Sequence, residues 1–252
     1  MVKGVLDLST STERRTDTER EKPTDSFSDV SLPQELLGLY ERFREVYQER
    51  TSWKELREED LWKELCFCIL SSNVPYEMAK SAALHLSRKG LLEIDVDRSH
   101  LTKLIAFELS RPVYRPERKD GSLRVYRFPR KRAHDIVEAG KYLYAENSGL
   151  TSLLAGSTLS SVRMSIVANL PGLGLKEASH FLRNVRYTDT LAVLDSHLVS
   201  FLDSFVRPLP PNIRLTPRRY TELEALFVQF AQFFGLSPAV LDMAVWEYLR
   251  SR

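Results

Sequence analysis

Apolar residues recur at helical spacing along most of this chain, and this pattern limits the folds that the chain can adopt. The segments with this spacing are 36–46, 62–70, 78–86, 101–109, 133–143, 162–170, 178–185, 197–205, 220–234 and 239–249. An apolar stripe along one face is typical of an amphipathic helix packed on a core. No segment shows a convincing alternation of apolar and polar residues, so we predict an all-α fold.

Length and cysteine content narrow the class further. At about 150 residues per domain, a chain of 252 residues forms one domain or two small ones. Two cysteines, Cys66 and Cys68, exclude a disulfide framework and a four-cysteine zinc or iron–sulfur site built from this chain alone. No apolar run approaches the ~18 residues of a membrane span, and the first residues lack a signal-peptide core. We therefore expect an intracellular protein of the cytoplasm or nucleoid that does not bind membranes.

The first thirty residues have the composition of a disordered tail. They contain seven acidic and five basic residues, many Ser and Thr, and one aromatic residue, Phe27. Such a segment cannot bury enough apolar surface to offset its chain entropy. We predict a disordered tail over 1–30 and a folded part over 31–252, which carries a net charge of +4.

The segment 111–132 is strongly basic. It contains nine bases and two acids, with three aromatic residues between them. Its prolines and its Asp120-Gly121 pair are turn signals, so we predict a loop or short hairpin before the next helix. A basic patch with aromatic residues suits DNA, and Arg130 and Arg132 are the candidate contacts. The alternative is a solvated surface loop.

A glycine-rich turn between two helical patterns is the most informative segment. Pro171 ends the first pattern, and Gly172 and Gly174 allow backbone angles that other residues resist. A tight turn followed by a helix N-terminus presents backbone N–H groups to one anion, such as a DNA phosphate. We therefore predict a helix–hairpin–helix DNA-binding element at 170–175, with Leu170, Gly172 and Gly174 as DNA contacts. The alternative is an ordinary turn between packed helices.

Lys176 occupies the first turn of the second helix, where the helix dipole disfavours a cation. This position, with some burial, favours the neutral amine, which is the form that attacks as a nucleophile. A lysine that is solvated or contacts a phosphate is the other interpretation.

Asp195 ends the apolar run 191–194, just before a new helical pattern. It is well placed as an N-cap. A carboxylate held there stays ionised, and opposite Lys176 it could accept a proton or stabilise a positively charged sugar. Sequence alone leaves both roles open.

These residues resemble a known family. The strings Leu170-Pro-Gly-Leu-Gly-Leu-Lys176 and Leu194-Asp195 are similar to the helix–hairpin–helix DNA glycosylases. The string from Lys176 to Asn184, followed by Asp195 and His197, resembles the archaeal-type 8-oxoguanine DNA glycosylase/lyases. The resemblance extends weakly to 127–133, Leu241-Asp242 and Trp246, and covers about residues 34–250.

The resemblance implies a fold and an activity. The fold is two helical subdomains with an active-site cleft between them and the hairpin at its edge. The activity is excision of 8-oxoguanine from double-stranded DNA, followed by β-elimination at the abasic site, carried out by a monomer. Lys176 would be the nucleophile and Schiff-base lysine, and Asp195 would assist it. No metal or organic cofactor is needed, although the superfamily allows a monovalent cation at the hairpin.

The resemblance also suggests binding roles for four other residues. His197 would contact a DNA phosphate, or be a partly buried histidine of the first turn. The stretch Leu70-Ser-Ser-Asn73 resembles the segment of the related eukaryotic 8-oxoguanine glycosylases that supplies an asparagine to the orphaned cytosine, so Asn73 would take that role, or only cap a helix. Asp242 and Trp246 lie one helical turn apart, so Asp242 could accept hydrogen bonds while Trp246 stacks on the flipped base; the alternative is a surface acid beside a core tryptophan.

The chain departs from the family pattern in three places. Archaeal members often end in a lysine that reaches the damaged base, whereas this chain ends in Arg252, which could replace it. The acidic tail and the basic 111–125 segment are also atypical. Two other functions therefore stay open, namely a glycosylase for another damaged base and a helix–hairpin–helix DNA-binding module without catalysis.

Overall fold

The computed structural model describes residues 27–156, 158–211 and 213–251. Within them the chain is helical, and the described residues contain an isolated antiparallel bridge between Tyr114 and Arg124 but no strand. The helices are α1 (Gln34–Glu49), α2 (Glu58–Ser71), α3 (Tyr76–Arg88), α4 (Leu101–Leu109), α5 (Pro129–Lys141), α6 (Gly149–Leu154), α7 (Leu159–Asn169), α8 (Leu175–Asn184), α9 (Ser196–Phe201), α10 (Pro217–Phe233) and α11 (Pro238–Arg250). Short π-helical segments extend α5 over Tyr142–Glu146 and α9 over Leu202–Val206. The prediction of an all-α fold is confirmed.

Two separate hydrophobic clusters divide the molecule into subdomains. The first cluster is built from α2 to α8 and includes fully buried Leu65, Ile105 and Phe181. The second combines α1 with α9 to α11 and includes Phe201 and Phe230. Because α1 packs against α11, the second subdomain contains both ends of the described chain. Each amphipathic helix thus buries its apolar face in one of the two clusters.

Two buried ion pairs join the subdomains within the described residues. Arg163 of α7 contacts both carboxylate oxygens of Glu224 on α10, at 2.8 and 2.7 Å. Arg183 of α8 contacts Asp242 Oδ2 on α11 at 2.5 Å. Since a buried charge is costly without a partner, each pair ties one subdomain to the other.

The folded part starts earlier than the sequence predicted. The side chain of Phe27 is buried, and its ring meets Phe230 and Phe233 edge-on at 5.3 and 5.6 Å between centroids. The predicted tail boundary at residue 30 is therefore wrong, because one aromatic residue gives residues 27–30 an apolar anchor in the second cluster. The rest of the predicted tail, 1–26, lies outside the described residues.

No single helix in the described part of the chain is long and apolar enough to cross a membrane. Only α10 and α11 taken together reach that length and composition, and a bend of 100° separates them.

Candidate active site and DNA interface

A cleft of about 1260 Å³ lies between the two subdomains. The first subdomain contributes Glu64, Asn73 and Lys176 to its walls, and the second contributes Asp195 and Trp246. Five residues that are far apart in the sequence therefore meet in one cavity large enough for a small ligand.

The predicted hairpin joins α7 to α8 and fits closely against α5. Gly172 has a φ of +84°, and a Cβ added there would lie 2.7 Å from Asp135 Oδ2. Only glycine meets both demands, the left-handed backbone and the close approach. The hairpin is thus locked onto α5 rather than being a free surface turn.

One of the hairpin amides already has a partner. Gly174 N–H donates to Glu177 Oε2 at 3.2 Å, with Gly174 as the N-cap of α8. This contact caps the helix N-terminus from within the chain. An anion at the hairpin would therefore displace Glu177 from Gly174, or use the other amides of the turn and of the first turn of α8.

Leu170 is not a side-chain contact for DNA. Its side chain is buried in the first hydrophobic cluster, and its N–H donates to Ile166 O at 3.0 Å. An apolar residue just before the turn gains most from burial in the core, so the predicted contact of Leu170 with DNA stays a prediction for its backbone alone. Only its carbonyl group can take part in binding.

The prediction that Arg132 contacts DNA is wrong, whereas Arg130 stays a candidate. The guanidinium of Arg132 is buried, contacts Asp135 Oδ2 at 2.9 Å and donates to Ser72 O at 3.1 Å. It therefore joins α5 to the end of α2 and does not reach a phosphate. Arg130 is exposed and can do so.

Lys176 is the second residue of α8 and points into the cleft. Its side chain is one-third exposed, and Nζ lies 3.9 Å from Glu177 Oε1. Contact at that distance leaves the amine accessible from the cavity. The structure thus places the predicted nucleophile where a ligand can approach it.

Asp195 caps α9 and lines the same cleft. Its Oδ1 accepts a hydrogen bond from Leu198 N–H at 3.0 Å, so the N-cap prediction is confirmed. The cap uses one oxygen of a partly exposed carboxylate, and the group also belongs to the cleft wall. Capping and chemistry are compatible at this residue.

Asn73 follows the end of α2 in a left-handed conformation, with a φ of +59°. That conformation is typical of a residue that ends a helix. Asn73 is also exposed at the cleft, where Arg127 Nη1 donates to its carbonyl oxygen at 3.4 Å. Both interpretations from the sequence are therefore structurally possible. The side-chain amide of Asn73 donates a long hydrogen bond to Ser72 Oγ at 3.4 Å, which a ligand could replace.

Asp242 is buried, and one oxygen of its carboxylate accepts two hydrogen bonds. Its Oδ2 accepts from Arg183 Nη1 at 2.5 Å and from Val193 N–H at 2.8 Å. Burial raises the pKa of Asp242 to about 6, although Arg183 acts in the opposite direction. Because Asp242 is buried, the interpretation of it as a surface acid is wrong. Its partners Arg183 and Val193 are remote in sequence, so no local pattern could indicate this. Asp242 instead fixes the backbone two residues before Asp195.

A chain of aromatic rings, which we call the aromatic wall, lines the cleft across both subdomains. Its members, in order of contact, are His180, Phe67, Tyr76, Trp246 and His197. Neighbouring ring centroids are 5.7, 5.8, 5.5 and 6.2 Å apart along this chain. The guanidinium of Arg250 lies 4.6 Å from the centroid of Trp246. Flat side chains of this kind suit a planar ligand such as a nucleobase.

The sequence analysis missed several cleft residues, among them His180 and Glu64. His180 lies one helical turn after Lys176, and this spacing could have indicated a shared face. Burial, with Arg183, Lys176 and Arg50 nearby, lowers the pKa of His180 well below its usual value, so the ring is neutral. Glu64 accepts a hydrogen bond from Asn184 at 2.7 Å, and burial raises the pKa of its carboxyl group. Its partner is 120 residues away, and no local pattern announces it.

The comparisons with known proteins agree with this geometry. The family model for 8-oxoguanine DNA glycosylase matches residues 113–236. An 8-oxoguanine DNA glycosylase/AP lyase from Thermotoga maritima is 32% identical over 230 residues, covering 87% of this chain and 98% of that protein. A relative with the same name from Methanocaldococcus jannaschii is 31% identical over 207 residues, covering 81% and 86%.

A solved structure extends the likeness to three dimensions. It is the Methanocaldococcus jannaschii 8-oxoguanine glycosylase/lyase in complex with a 15mer DNA containing 8-oxoguanine, with a TM-score of 0.66 and 28% sequence identity. The match covers 86% of this chain and 95% of that one. The fold and the cleft thus define a helix–hairpin–helix protein with a lysine and an aspartate at a shared cavity. The chain belongs to the 8-oxoguanine DNA glycosylase/AP lyase family.

Proposed function

We propose that this protein removes 8-oxoguanine from double-stranded DNA and then cleaves the strand at the abasic site. The observation that carries the proposal is the presence of Lys176 and Asp195 in one cleft of a chain from this family. A base inside a duplex is shielded, so the damaged nucleotide turns out of the helix and enters the cleft. The enzyme therefore acts inside the cell, where DNA is, in the cytoplasm or at the nucleoid.

The chemistry follows from these two side chains. The neutral amine of Lys176 attacks C1′ of the flipped nucleoside, and the bond from C1′ to the base breaks. Asp195 stabilises the positive charge that develops on the sugar and takes up the proton that the amine loses. The C1′–O4′ bond of the sugar then breaks as O4′ takes up the proton held by Asp195, which leaves a Schiff base between C1′ and Lys176 Nζ. The Schiff base makes the C2′ hydrogen acidic, and its removal as a proton expels the 3′ phosphate by β-elimination.

The remaining cleft residues position the DNA. Asn73 holds the orphaned cytosine, His197 contacts a phosphate, and the neutral ring of His180 with Trp246 offers flat surfaces to the flipped base. Asp242 also lines the cleft and holds the backbone that precedes Asp195, and we keep it as a candidate acceptor for the flipped base. Arg252 lies outside the described residues, so recognition of the damaged base by Arg252 stays a prediction.

The hairpin binds a phosphate of the DNA backbone through its amides. This scheme requires no metal or organic cofactor. A monovalent cation between the hairpin carbonyls and the phosphate is part of the proposal. The Leu170 carbonyl fits such a role, because it accepts only a long hydrogen bond, 3.4 Å, from Leu173 N–H and keeps a lone pair.

Borohydride trapping tests the proposal. With duplex DNA containing 8-oxoguanine opposite cytosine, we expect a covalent adduct with the wild type and none with Lys176→Gln. Lys80→Gln is the matched control, because this lysine of α3 lies beside Tyr76 of the aromatic wall but outside the cleft lining, and it should still give the adduct.

Two outcomes would contradict the proposal. Excision of uracil or alkylated bases without excision of 8-oxoguanine would assign another lesion. DNA binding without trapping or cleavage on any lesion would make the chain a binding module.

A further inference from the structure

The basic segment that the sequence singled out forms a hydrogen-bonded hairpin loop closed by the Tyr114–Arg124 bridge, which we call the basic ribbon (residues 113–125). Tyr114 and Arg124 exchange backbone hydrogen bonds of 3.0 and 2.8 Å. At the tip, Arg118 N–H donates to Ser122 O at 2.8 Å, and Asp120 Oδ1 accepts from Ser122 N–H at 2.9 Å. These hydrogen bonds order the backbone of the ribbon, so it is not a loose loop.

The ribbon runs along α3 toward the cleft. The Tyr114 ring contacts His85 edge-on at 5.6 Å between centroids, and Arg115 N–H donates to Ser81 Oγ at 3.4 Å. His85 and Ser81 are one helical turn apart, and the next turn of the same face is Glu77, which lines the cleft together with Pro116. The tip beyond Pro116 thus lies at the rim of the cleft.

The charge of the ribbon is concentrated near this rim. Arg118 and Lys119 are exposed at the tip, and their side chains make no hydrogen bond or ion pair with another described residue. Arg115 is 69% exposed and lies 3.4 Å from Glu117. The carboxylate of Asp120 is held by Ser122, which lowers the pKa of Asp120. Neither cation therefore has a direct hydrogen bond or ion pair in the described part of the chain, although Asp120 is near enough for the charge of Arg118 to help lower its pKa.

The neighbours of the ribbon indicate which DNA strand it meets. Pro116 and Asn73 line the same cleft, and Arg127, just after the ribbon, donates to the Asn73 carbonyl at 3.4 Å. In the proposed function, on which this step rests, Asn73 holds the cytosine opposite the lesion. Backbone phosphates next to that cytosine belong to the undamaged strand.

We propose that the basic ribbon is a second DNA-binding arm, which grips the phosphates of the undamaged strand beside the orphaned cytosine through Arg118 and Lys119. Fixed cations at a cleft rim match the regular negative charge of a DNA backbone. The arm adds sequence-independent affinity to the contacts made by the hairpin.

Salt dependence of binding tests the arm. We compare wild type with Arg118→Ala/Lys119→Ala on duplex DNA carrying an uncleavable abasic analogue opposite cytosine. Loss of two phosphate contacts should lower the slope of log K against log salt by about 1.8, since each contact contributes about 0.9. The matched control is Arg88→Ala/Lys141→Ala, which removes two exposed cations from the far ends of α3 and α5, about 18 Å along each helix from its first residue. The control should keep the wild-type slope.

Duplexes with neutral methylphosphonate linkages test the strand assignment. Neutral linkages beside the orphaned cytosine should abolish the difference between wild type and the ribbon variant, whereas the same linkages in the damaged strand should preserve it. The opposite pattern would overturn the strand assignment.

An unchanged slope for the ribbon variant would remove the ribbon from the DNA surface. Equal loss of slope in the control would attribute the effect to net charge alone and would also overturn the arm. Repeating the salt titration on undamaged duplex separates this inference from the proposed function, because the arm needs no lesion. If trapping fails but the wild type and the ribbon variant still differ in slope, the proposed catalytic function is contradicted and the DNA-binding arm is not.

Discussion

Asp195 joins local structure to chemistry at a single carboxylate. One of its oxygens accepts the hydrogen bond from Leu198 N–H that begins α9, and the residue also lines the cleft opposite Lys176. Asparagine is as good an N-cap as aspartate but carries no charge. A single substitution can therefore separate the two roles.

For Asp195→Asn we expect turnover of 8-oxoguanine DNA to fall by about 10²–10⁴-fold, because the charge that assists Lys176 is lost. The unfolding free energy should change by less than about 0.5 kcal/mol, because the cap persists. Single-turnover cleavage and urea denaturation measure the two quantities. Asp195→Ala is the comparison, since it removes the cap as well and should cost about 1 kcal/mol of stability.

A loss of stability in Asp195→Asn as large as that in Asp195→Ala would make the charge structural. Normal turnover in Asp195→Asn would remove the carboxylate from the reaction.

At the scale of elements, the hairpin and its seat on α5 behave as one unit. Gly172 approaches Asp135, and Asp135 is held in place by Arg132 and by Lys131, whose Nζ lies 3.0 Å from its Oδ2. The carboxylate therefore has little freedom to move aside. The position of the hairpin depends on this contact as much as on the turn itself.

Gly172→Ala should destabilise the protein by about 1–2 kcal/mol more than Gly235→Ala. Both glycines have a positive φ, +84° and +67°, so both substitutions strain the backbone. Only at Gly172 does the new Cβ also meet a fixed side chain, whereas nothing lies within 4 Å at Gly235. Denaturation and DNA affinity should both report the difference, with affinity reduced only in Gly172→Ala. Equal effects at the two sites would mean that Asp135 yields freely.

The sequence predicted those elements whose cause is local. Apolar spacing located the helices, and Pro171 with its glycines located the hairpin, since both signals lie within a few residues. The positions and hydrogen bonds of Arg132 and Glu64 depend on partners that are remote in sequence, Ser72 O and Asn184 respectively. No spacing rule contains that information, so a motif arginine was assigned to DNA when it belongs to the core. The positions of Lys176 and Asp195 at helix starts could be predicted from local signals, whereas their catalytic roles came from the family resemblance and stay predictions.

At the scale of the whole molecule, stability depends on how two cores are joined. The pair Arg163–Glu224 crosses between them, and Arg163 Nη1 also donates to Ser179 Oγ at 3.1 Å. Burial raises the pKa of Glu224, and the contact with Arg163 opposes that rise. Arg163 therefore stabilises the charged form of the buried Glu224 carboxylate.

Arg163→Ala should cost about 3–5 kcal/mol of unfolding free energy at neutral pH, because it leaves the buried Glu224 carboxylate without its charged partner. A group whose pKa is raised by folding is best tolerated when protonated, so the loss should shrink as the pH falls toward 5. Urea denaturation at pH 5 and pH 8 measures this. Arg218→Ala removes an exposed arginine that pairs with Glu222 on the same helix, α10, and should cost less than about 0.5 kcal/mol. A pH-independent loss in Arg163→Ala would contradict this account.

The proposed nucleophile, Lys176, and the carboxylate proposed to assist it, Asp195, belong to different halves of the molecule, since α8 is built into the first core and α9 into the second. A small slippage of one half against the other would therefore spoil the alignment of the two groups while leaving every helix intact. On warming, this enzyme should lose its chemistry several degrees before its circular dichroism signal falls. We therefore expect the boundary between the two subdomains, rather than either hydrophobic core, to set the temperature at which repair stops.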